Sequence, residues 1–287
     1  MNSKSKRELI ADMALAKGTS KPVTAWIEQY RRSGSVMNLE CLDIAYQAMV
    51  KDLSSGSKAD GSKRLRPSMI GNECWRAQAF SYYGAPQSEK EDWVAEKAKG
   101  GTLAHYWFQA EGMSAGWLVD IEVEVEIPEW QLKGALDGIC KDGSVMELKT
   151  VSTEKYNGWR GAPAVEKMTE PIFAHMKQVH AYMLAVGESE ASVIYLDRGE
   201  QRFREFRVRK DPALVREMTI EVNATLASIE RNELPDRLFG CEMLQDGWNP
   251  ILYDQRKVDS WLAMQRWCSY KDICRHANPS DWDTDTQ

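Results

Sequence analysis

A chain of 287 residues, 43% hydrophobic and 28% charged, is long enough for one large domain with an appendage, and its composition excludes wholesale disorder and fibrous folds. No apolar run approaches the ~20 residues that a bilayer span requires. The polar start MNSKSKREL lacks the apolar stretch of a secretory signal, so a soluble, cytoplasmic protein with no membrane contact is expected.

Net charge is −6, but residues 1–66 carry 12 Lys/Arg against 7 Asp/Glu while the remainder carries 25 against 36. With an acidic body, any nucleic acid must be met by a local basic track rather than by a global field. Residues 7–53 read as helical. Ser20 caps a segment with Pro22 in its first turn, Val23, Trp26 and Ile27 follow, and Arg31-Arg32 close it. A second helix runs from about Met37 to Leu53. SSGSKADGSKR, residues 54–64, has no strongly apolar residue and reads as a flexible linker. It separates a helical N-terminal region (1–60) from a main domain (61–287).

Past the linker, RPSMIGNECWRAQAFSYYG reads as a helix broken at Gly84, and a longer helix covers roughly 88–115. LVDIEVEVEI (118–127) alternates apolar and acidic residues with period two, the pattern of a half-exposed strand. A second strand spans Trp130 to Cys140. Asp142-Gly143 turns the chain into a third strand, SVMELKT, a strong hairpin signal. Pro171 opens a helix through Ala185 that Gly187 closes. ASVIYLDRG is a buried strand, and QRFREFRVR pairs with it, Arg202, Arg204, Arg207 and Arg209 reading as a solvated face. Pro212 starts a helix to about Arg231, and the segment 232–287 is Trp-rich and irregular. This order predicts an α/β (α+β) fold: a mixed sheet flanked by helices, with an N-terminal helical appendage.

Chemistry concentrates on the hairpin. Asp137 lies near the end of one strand, while Glu147 and Lys149 lie two apart on its partner and therefore share a face. Pairing across Asp142-Gly143 brings Asp137 towards that face. Hard carboxylate oxygens suit Mg²⁺ or Mn²⁺, which polarise a phosphodiester and lower the pKa of an attacking water. A lysine offsets the charge that builds on phosphoryl oxygens. The alternative is a solvated surface ion cluster. The six cysteines, in a chain without an export signal, read as free thiols or metal ligands rather than disulfides.

Asp137, nine residues, then Glu147-Leu148-Lys149 resembles the core motif of the PD-(D/E)xK nucleases, and three flanking features resemble the RecB-like branch. Gly101-Thr-Leu-Ala-His105 precedes the strands, where the branch carries a metal-ligating histidine. Gln178-Val-His-Ala-Tyr182 resembles its Q-x3-Y motif; four-residue spacing puts both polar tips on one helix face. Cys74, with Cys268 and Cys274 in WCSYKDIC, resembles the cysteine frame of branch members with an iron–sulfur cluster, the CRISPR-associated and AddB types.

The second cysteine of that frame is replaced by Gln265, and Cys241 is the nearby thiol able to stand in. A four-iron cluster takes four thiolates; zinc suits the same ligands, and buried free thiols are the remaining reading. Cys41 and Cys140 read as structural, His175 and His180 as bystanders.

The resemblance covers roughly residues 64–280. It implies a restriction-endonuclease-like fold and a Mg²⁺/Mn²⁺-dependent DNA exonuclease of end processing, recombination or repair, with stand-alone versions in phages. His105, Asp137, Glu147 and the Leu148 carbonyl would hold metal, Lys149 would orient water, and Gln178 and Tyr182 would position substrate. A structure-selective endonuclease is the alternative within the enzyme class; a nucleic-acid-binding subunit of a helicase or integrase complex is the alternative outside it. DNA with free ends or single strands is the expected partner. Lys155, Tyr156, Trp159 and Arg160, directly after the third strand, read equally as a DNA grip or as a polar loop with one core tryptophan. The N-terminal helices read as structural packing or as a docking site for DNA or a protein partner.

Overall fold

The computed structural model describes residues 22–54, 63–72, 74–89, 92–151, 165–237 and 268–274. Ser20, most of the 54–64 segment, Lys155, Tyr156, Trp159, Arg160 and Cys241 lie outside them. Seven helices and five strands occur among the described residues: α1 (Pro22–Arg32), α2 (Leu39–Ser54), α3 (Pro67–Ile70), α4 (Trp75–Tyr83), α5 (Asp92–Ser114), β1 (Leu118–Ile127), β2 (Leu132–Cys140), β3 (Val145–Val151), α6 (Phe173–Ala185), β4 (Glu190–Asp197), β5 (Phe203–Arg209) and α7 (Pro212–Glu230). No helix among these residues is long and apolar enough to cross a membrane.

The strands form one sheet in the order β1-β2-β3-β4-β5. β3 and β4 run parallel, and every other neighbouring pair is antiparallel. A parallel pair needs a crossover rather than a tight turn, and α6 lies in that connection. Alternation along β4 shows the layering. Val193 and Tyr195 join one apolar cluster with Met176, Val179 and Met183 of α6 and Met218 and Val222 of α7. Ile194 and Leu196 join a second with Val23 and Ile27 of α1, Ala45 of α2 and Phe108 of α5. The sheet is thus covered on both faces, which is why β4 reads as a near-continuous apolar run.

Both N-terminal helices contribute to that second cluster. Arg31 of α1 donates to both carboxylate oxygens of Glu111 on α5, at 3.0 and 2.5 Å. Thr24 donates to Glu205 of β5 through its backbone N–H and its hydroxyl, both at 3.0 Å.

That cover changes the reading of β5. Arg207 does not face solvent: it is buried and donates to Ser144, Ser192, Asp142 and Glu190. An arginine on a strand reads as exposed until its partners on neighbouring strands are known; Arg209, at the strand end, is exposed. The second strand starts at Leu132 rather than Trp130, because Pro128–Trp130 forms a 3₁₀ turn that buries Trp130. Short α3 docks its end on α6: a Cβ at Gly71 would collide with the Ala174 carbonyl oxygen.

His180 and His175 have structural partners. His180 is fully buried; its Nδ1–H donates to the Met176 carbonyl at 2.7 Å and its Nε2 accepts from the Asp211 N–H at 3.0 Å. His175 Nδ1 lies 2.8 Å from the Tyr195 hydroxyl. The His180 arrangement needs a neutral ring, and burial lowers its pKa below the ordinary 6.5.

Since the unfolded chain then binds more protons, the contribution of His180 is complete above about pH 6.5 and is lost as pH falls through the lowered folded value. Thermal melts across that interval are expected to show a drop that is smaller in His180→Gln; parallel curves for the two proteins would refute the assignment.

Candidate active site

The β2–β3 ladder is short, with Gly138 opposite Met146 and Ile139 opposite Val145. Beyond it the strands fork. The Leu148 N–H, which a longer ladder would direct to a β2 carbonyl, donates instead to Asp137 Oδ2 at 2.6 Å. Asp137 thereby closes the fork with its side chain, and its carboxylate is fixed at the mouth between two strands. Glu147, buried, and Lys149, half-buried, follow on β3.

A polar chain runs from this fork to α6. Lys149 Nζ sits 2.5 Å from Glu147 Oε1 and donates to Gln178 Oε1 at 2.9 Å. Gln178 Nε2 donates to the Tyr182 hydroxyl at 3.1 Å, and that hydroxyl donates to the Ala135 carbonyl of β2 at 2.8 Å. Gln178 and Tyr182, one helical turn apart, therefore hold the lysine against the sheet. Burial keeps the Tyr182 phenol well above its usual range, reinforced by the charges of Glu147 and Asp137.

The opposite wall is α5. His105 Nε2 stands 3.4 Å from Asp137 Oδ2. One turn on, buried Gln109 donates from Nε2 to the Asp137 carbonyl at 2.7 Å and to Glu122 Oε1 of β1 at 2.8 Å. Ile121 pairs with Gly138 and Val123 with Leu136, so Glu122 lies directly across from Asp137. Its backbone has φ +49°, a left-handed conformation rare outside glycine.

His105, Glu122 and Asp137 offer donor atoms that all lie within 4.8 Å of one another, the one such group among the described residues. Glu122 is the residue that the sequence reading missed. The four alternating acids Asp120, Glu122, Glu124 and Glu126 look alike in sequence; the one available signal was Gln109, a helical turn beyond His105.

The electrostatics of these groups are linked. Burial favours a neutral His105 ring, but the surrounding Asp137, Glu122 and Glu147 carboxylates outweigh it and raise the pKa to about 9. Burial and the charge of Asp137 push Glu147 upward, against the pull of Lys149. Burial also opposes ionisation of Asp137, yet His105, Lys149 and the Leu148 N–H hold it below the carboxylate norm. Glu122 rises through burial and the proximity of Asp137.

Three carboxylates and one imidazole crowd together, with His105 Nε2 and Glu147 Oε2 buried and without a hydrogen-bond partner. Oxygen ligands plus one imidazole, with two buried donor atoms unsatisfied, fit a small hard divalent cation. An open cleft of about 430 Å³ lies alongside, lined by residues that include His105, Leu148, Lys149, Thr150 and Arg198.

The cysteines are placed elsewhere. Cys274 is buried in a small cluster with Ala77, Phe80, Ala85 and Tyr270, and Cys74 and Cys268 pack against it. Arg76 ties this cluster down by donating to the Pro235 and Cys274 carbonyls, at 3.0 and 3.2 Å. Burial raises the Cys268 thiol pKa. Cys140 is buried on β2, its thiol pushed up to about 12 by burial, and Cys41 is half-buried on α2.

The family model for the PD-(D/E)XK nuclease superfamily matches residues 42–275. No curated protein matches the chain in sequence. Among solved structures, LHK-Exo in complex with dAMP aligns at a TM-score of 0.45 and 18% identity, over 60% of this chain and 91% of that one. A second structure of LHK-Exo, described as an alkaline exonuclease from Laribacter hongkongensis, aligns at 0.43 and 17% over 59% and 89%. The protein SSO0001 aligns at 0.46 and 16% over 82% and 95%.

Proposed function

The chain belongs to the PD-(D/E)XK nuclease superfamily, and from that premise we propose that it is a metal-dependent deoxyribonuclease that digests DNA from its ends. The observation that carries the reading is the joined network of His105, Asp137, Glu147, Lys149, Gln178 and Tyr182 around two unsatisfied buried donor atoms.

His105, Asp137, Glu147 and the Leu148 carbonyl would hold Mg²⁺ or Mn²⁺, with Glu122 as an added carboxylate. Such an ion supplies Lewis-acid polarisation of the phosphoryl group and acidifies the attacking water. Lys149 is positioned to orient a water and to offset charge developing on the phosphoryl oxygens. Gln178 fixes the lysine through its Oε1, and Tyr182 fixes Gln178 against β2.

The end-directed activity, and a role in recombination or repair, rest on the resemblance of His105, Gln178 and Tyr182 to the RecB-like pattern. The same resemblance assigns Cys74, Cys268 and Cys274, with Cys241, to a four-iron cluster, with a zinc site or buried free thiols as the alternatives; the three described thiols border one apolar patch. Anaerobically purified protein should be coloured; a colourless protein with stoichiometric zinc would replace the cluster by a zinc site. Lys155, Tyr156, Trp159 and Arg160 keep two equal readings, a DNA grip or a polar loop, while α1 and α2 serve first as packing over the sheet, with a docking role for DNA or a protein partner as the alternative.

The deciding experiment supplies Mn²⁺ and compares end-labelled linear DNA with covalently closed circles, using Asp137→Asn as the control. Loss of linear DNA alone, abolished in the variant, supports the reading. Cleavage of circles moves it to an endonuclease, and no Asp137-dependent cleavage of either leaves a binding subunit.

A further inference from the structure

We propose that Arg198, together with the Thr150 hydroxyl, binds a backbone phosphate of the DNA strand next to the phosphate being cleaved. The inference rests on the nuclease reading for the identity of the ligand, but its geometry lies outside the catalytic network. The cleft that contains His105 and Lys149 continues past Thr150 to Arg198. It opens at the carboxyl ends of the parallel strands β3 and β4, where the sheet edge leaves room for a ligand.

Arg198 starts from a fixed base. Its backbone N–H donates to the Val151 carbonyl at 3.1 Å, extending the β3–β4 pairing beyond the strand ends. The following turn is closed by Asp197, whose Oδ1 accepts from the Gly199 and Glu200 N–H groups at 2.8 and 3.2 Å. The turn fixes the backbone from which the guanidinium reaches the cleft, and its planar fork matches two phosphate oxygens.

The opposite wall is built to let it approach. Gly100 and Gly101 lie consecutively inside the 23-residue helix α5, where each glycine costs about 1 kcal/mol relative to alanine. A Cβ at Gly100 would stand 3.2 Å from Arg198 Nη1, and one at Gly101 would stand 3.0 Å from Thr150 Oγ1. The helix gives up side chains at the two positions that face the guanidinium and the hydroxyl. Because residues 67–287 carry 25 Lys/Arg against 36 Asp/Glu, a polyanion entering this cleft needs such a local cation.

The test measures anisotropy of a fluorescent oligonucleotide across a salt series in EDTA, so that no cleavage is required. Arg198→Gln should weaken binding about tenfold and reduce the slope of log K against log salt by about 1, the signature of one lost phosphate contact. Arg198→Lys should keep the slope at intermediate affinity. Gly101→Ala should lower affinity with the slope unchanged, since it narrows the cleft without removing charge, and this variant covers the case in which Arg198→Gln fails to fold.

Wild-type slope and affinity in folded Arg198→Gln, or wild-type affinity in Gly101→Ala, would overturn the proposal. Failure of the oligonucleotide to bind wild-type protein would do the same. Arg198-dependent binding without Asp137-dependent cleavage would sink the nuclease reading and leave this one standing.

Discussion

Lys149→Met is expected to lower kcat on linear DNA by about 10²–10³-fold with little change in KM, since it removes a charge that acts where negative charge develops in the transition state. The substitution has a second consequence that must be separated from the first. Glu147 is buried, and Lys149 Nζ at 2.5 Å is its cation. Removing the lysine leaves that carboxylate uncompensated, and removing one partner of a buried pair costs about 3–5 kcal/mol. Here the cost should fall near the lower bound, because Lys149 borders an open cleft.

The double variant Lys149→Met/Glu147→Gln should recover most of the melting temperature while remaining inactive. Lys149→Arg should not restore activity: a planar guanidinium cannot occupy the point between Glu147 Oε1 and Gln178 Oε1 that the ammonium fills. The checks are calorimetric melts beside initial rates on end-labelled DNA. A double variant that regains both stability and cleavage would show that the lysine serves only the fold.

Much of this site was legible in sequence because it lies on elements with strong local signals. LVDIEVEVEI became β1 with the residues expected from its alternation. The Asp142-Gly143 turn appears with Gly143 at φ +85° and the Asp142 side chain accepting from the Ser144 N–H and hydroxyl. Period-two spacing placed Glu147 and Lys149 on one face, and period-3.6 spacing placed Gln178 and Tyr182 together.

What escaped is non-local. Arg207 was read as solvated because its four partners come from β4 and from the β2–β3 turn. Asp137 reaches its position because the β2–β3 ladder stops after two pairs, and the length of a ladder is not written in either strand. Arg198 was read only as part of the ASVIYLDRG strand, because the α5 glycine that stands opposite its guanidinium lies on a distant element.

Glu122 shows the same limit most sharply, and it yields the second large effect. Two carboxylates directly across a strand pair repel one another, yet Glu122 faces Asp137 and is held there by Gln109. A left-handed backbone at Glu122 adds a conformational cost of order 1 kcal/mol. A fold that tolerates both is arranged around something positive, and His105 and Lys149 supply at most two charges against the three carboxylates of Glu122, Asp137 and Glu147.

Glu122→Gln preserves the Gln109 contact through its amide oxygen while removing one of the repelling charges. The metal-free variant should therefore melt at or above the wild-type temperature. Its affinity for Mn²⁺ should fall about 10–100-fold if the carboxylate is a ligand. At a fixed excess of Mn²⁺ that removes about 1.4–2.7 kcal/mol from the metal-linked stabilisation.

The expected pattern is a crossing: the variant is the more stable protein in EDTA and the less stable one in Mn²⁺. Calorimetric melts in the two conditions, with isothermal titration of Mn²⁺, read it directly. Equal Mn²⁺ affinity in the two proteins would reduce Glu122 to a holder of Gln109. A variant less stable in EDTA would mean that the carboxylate pair is compensated within the protein itself.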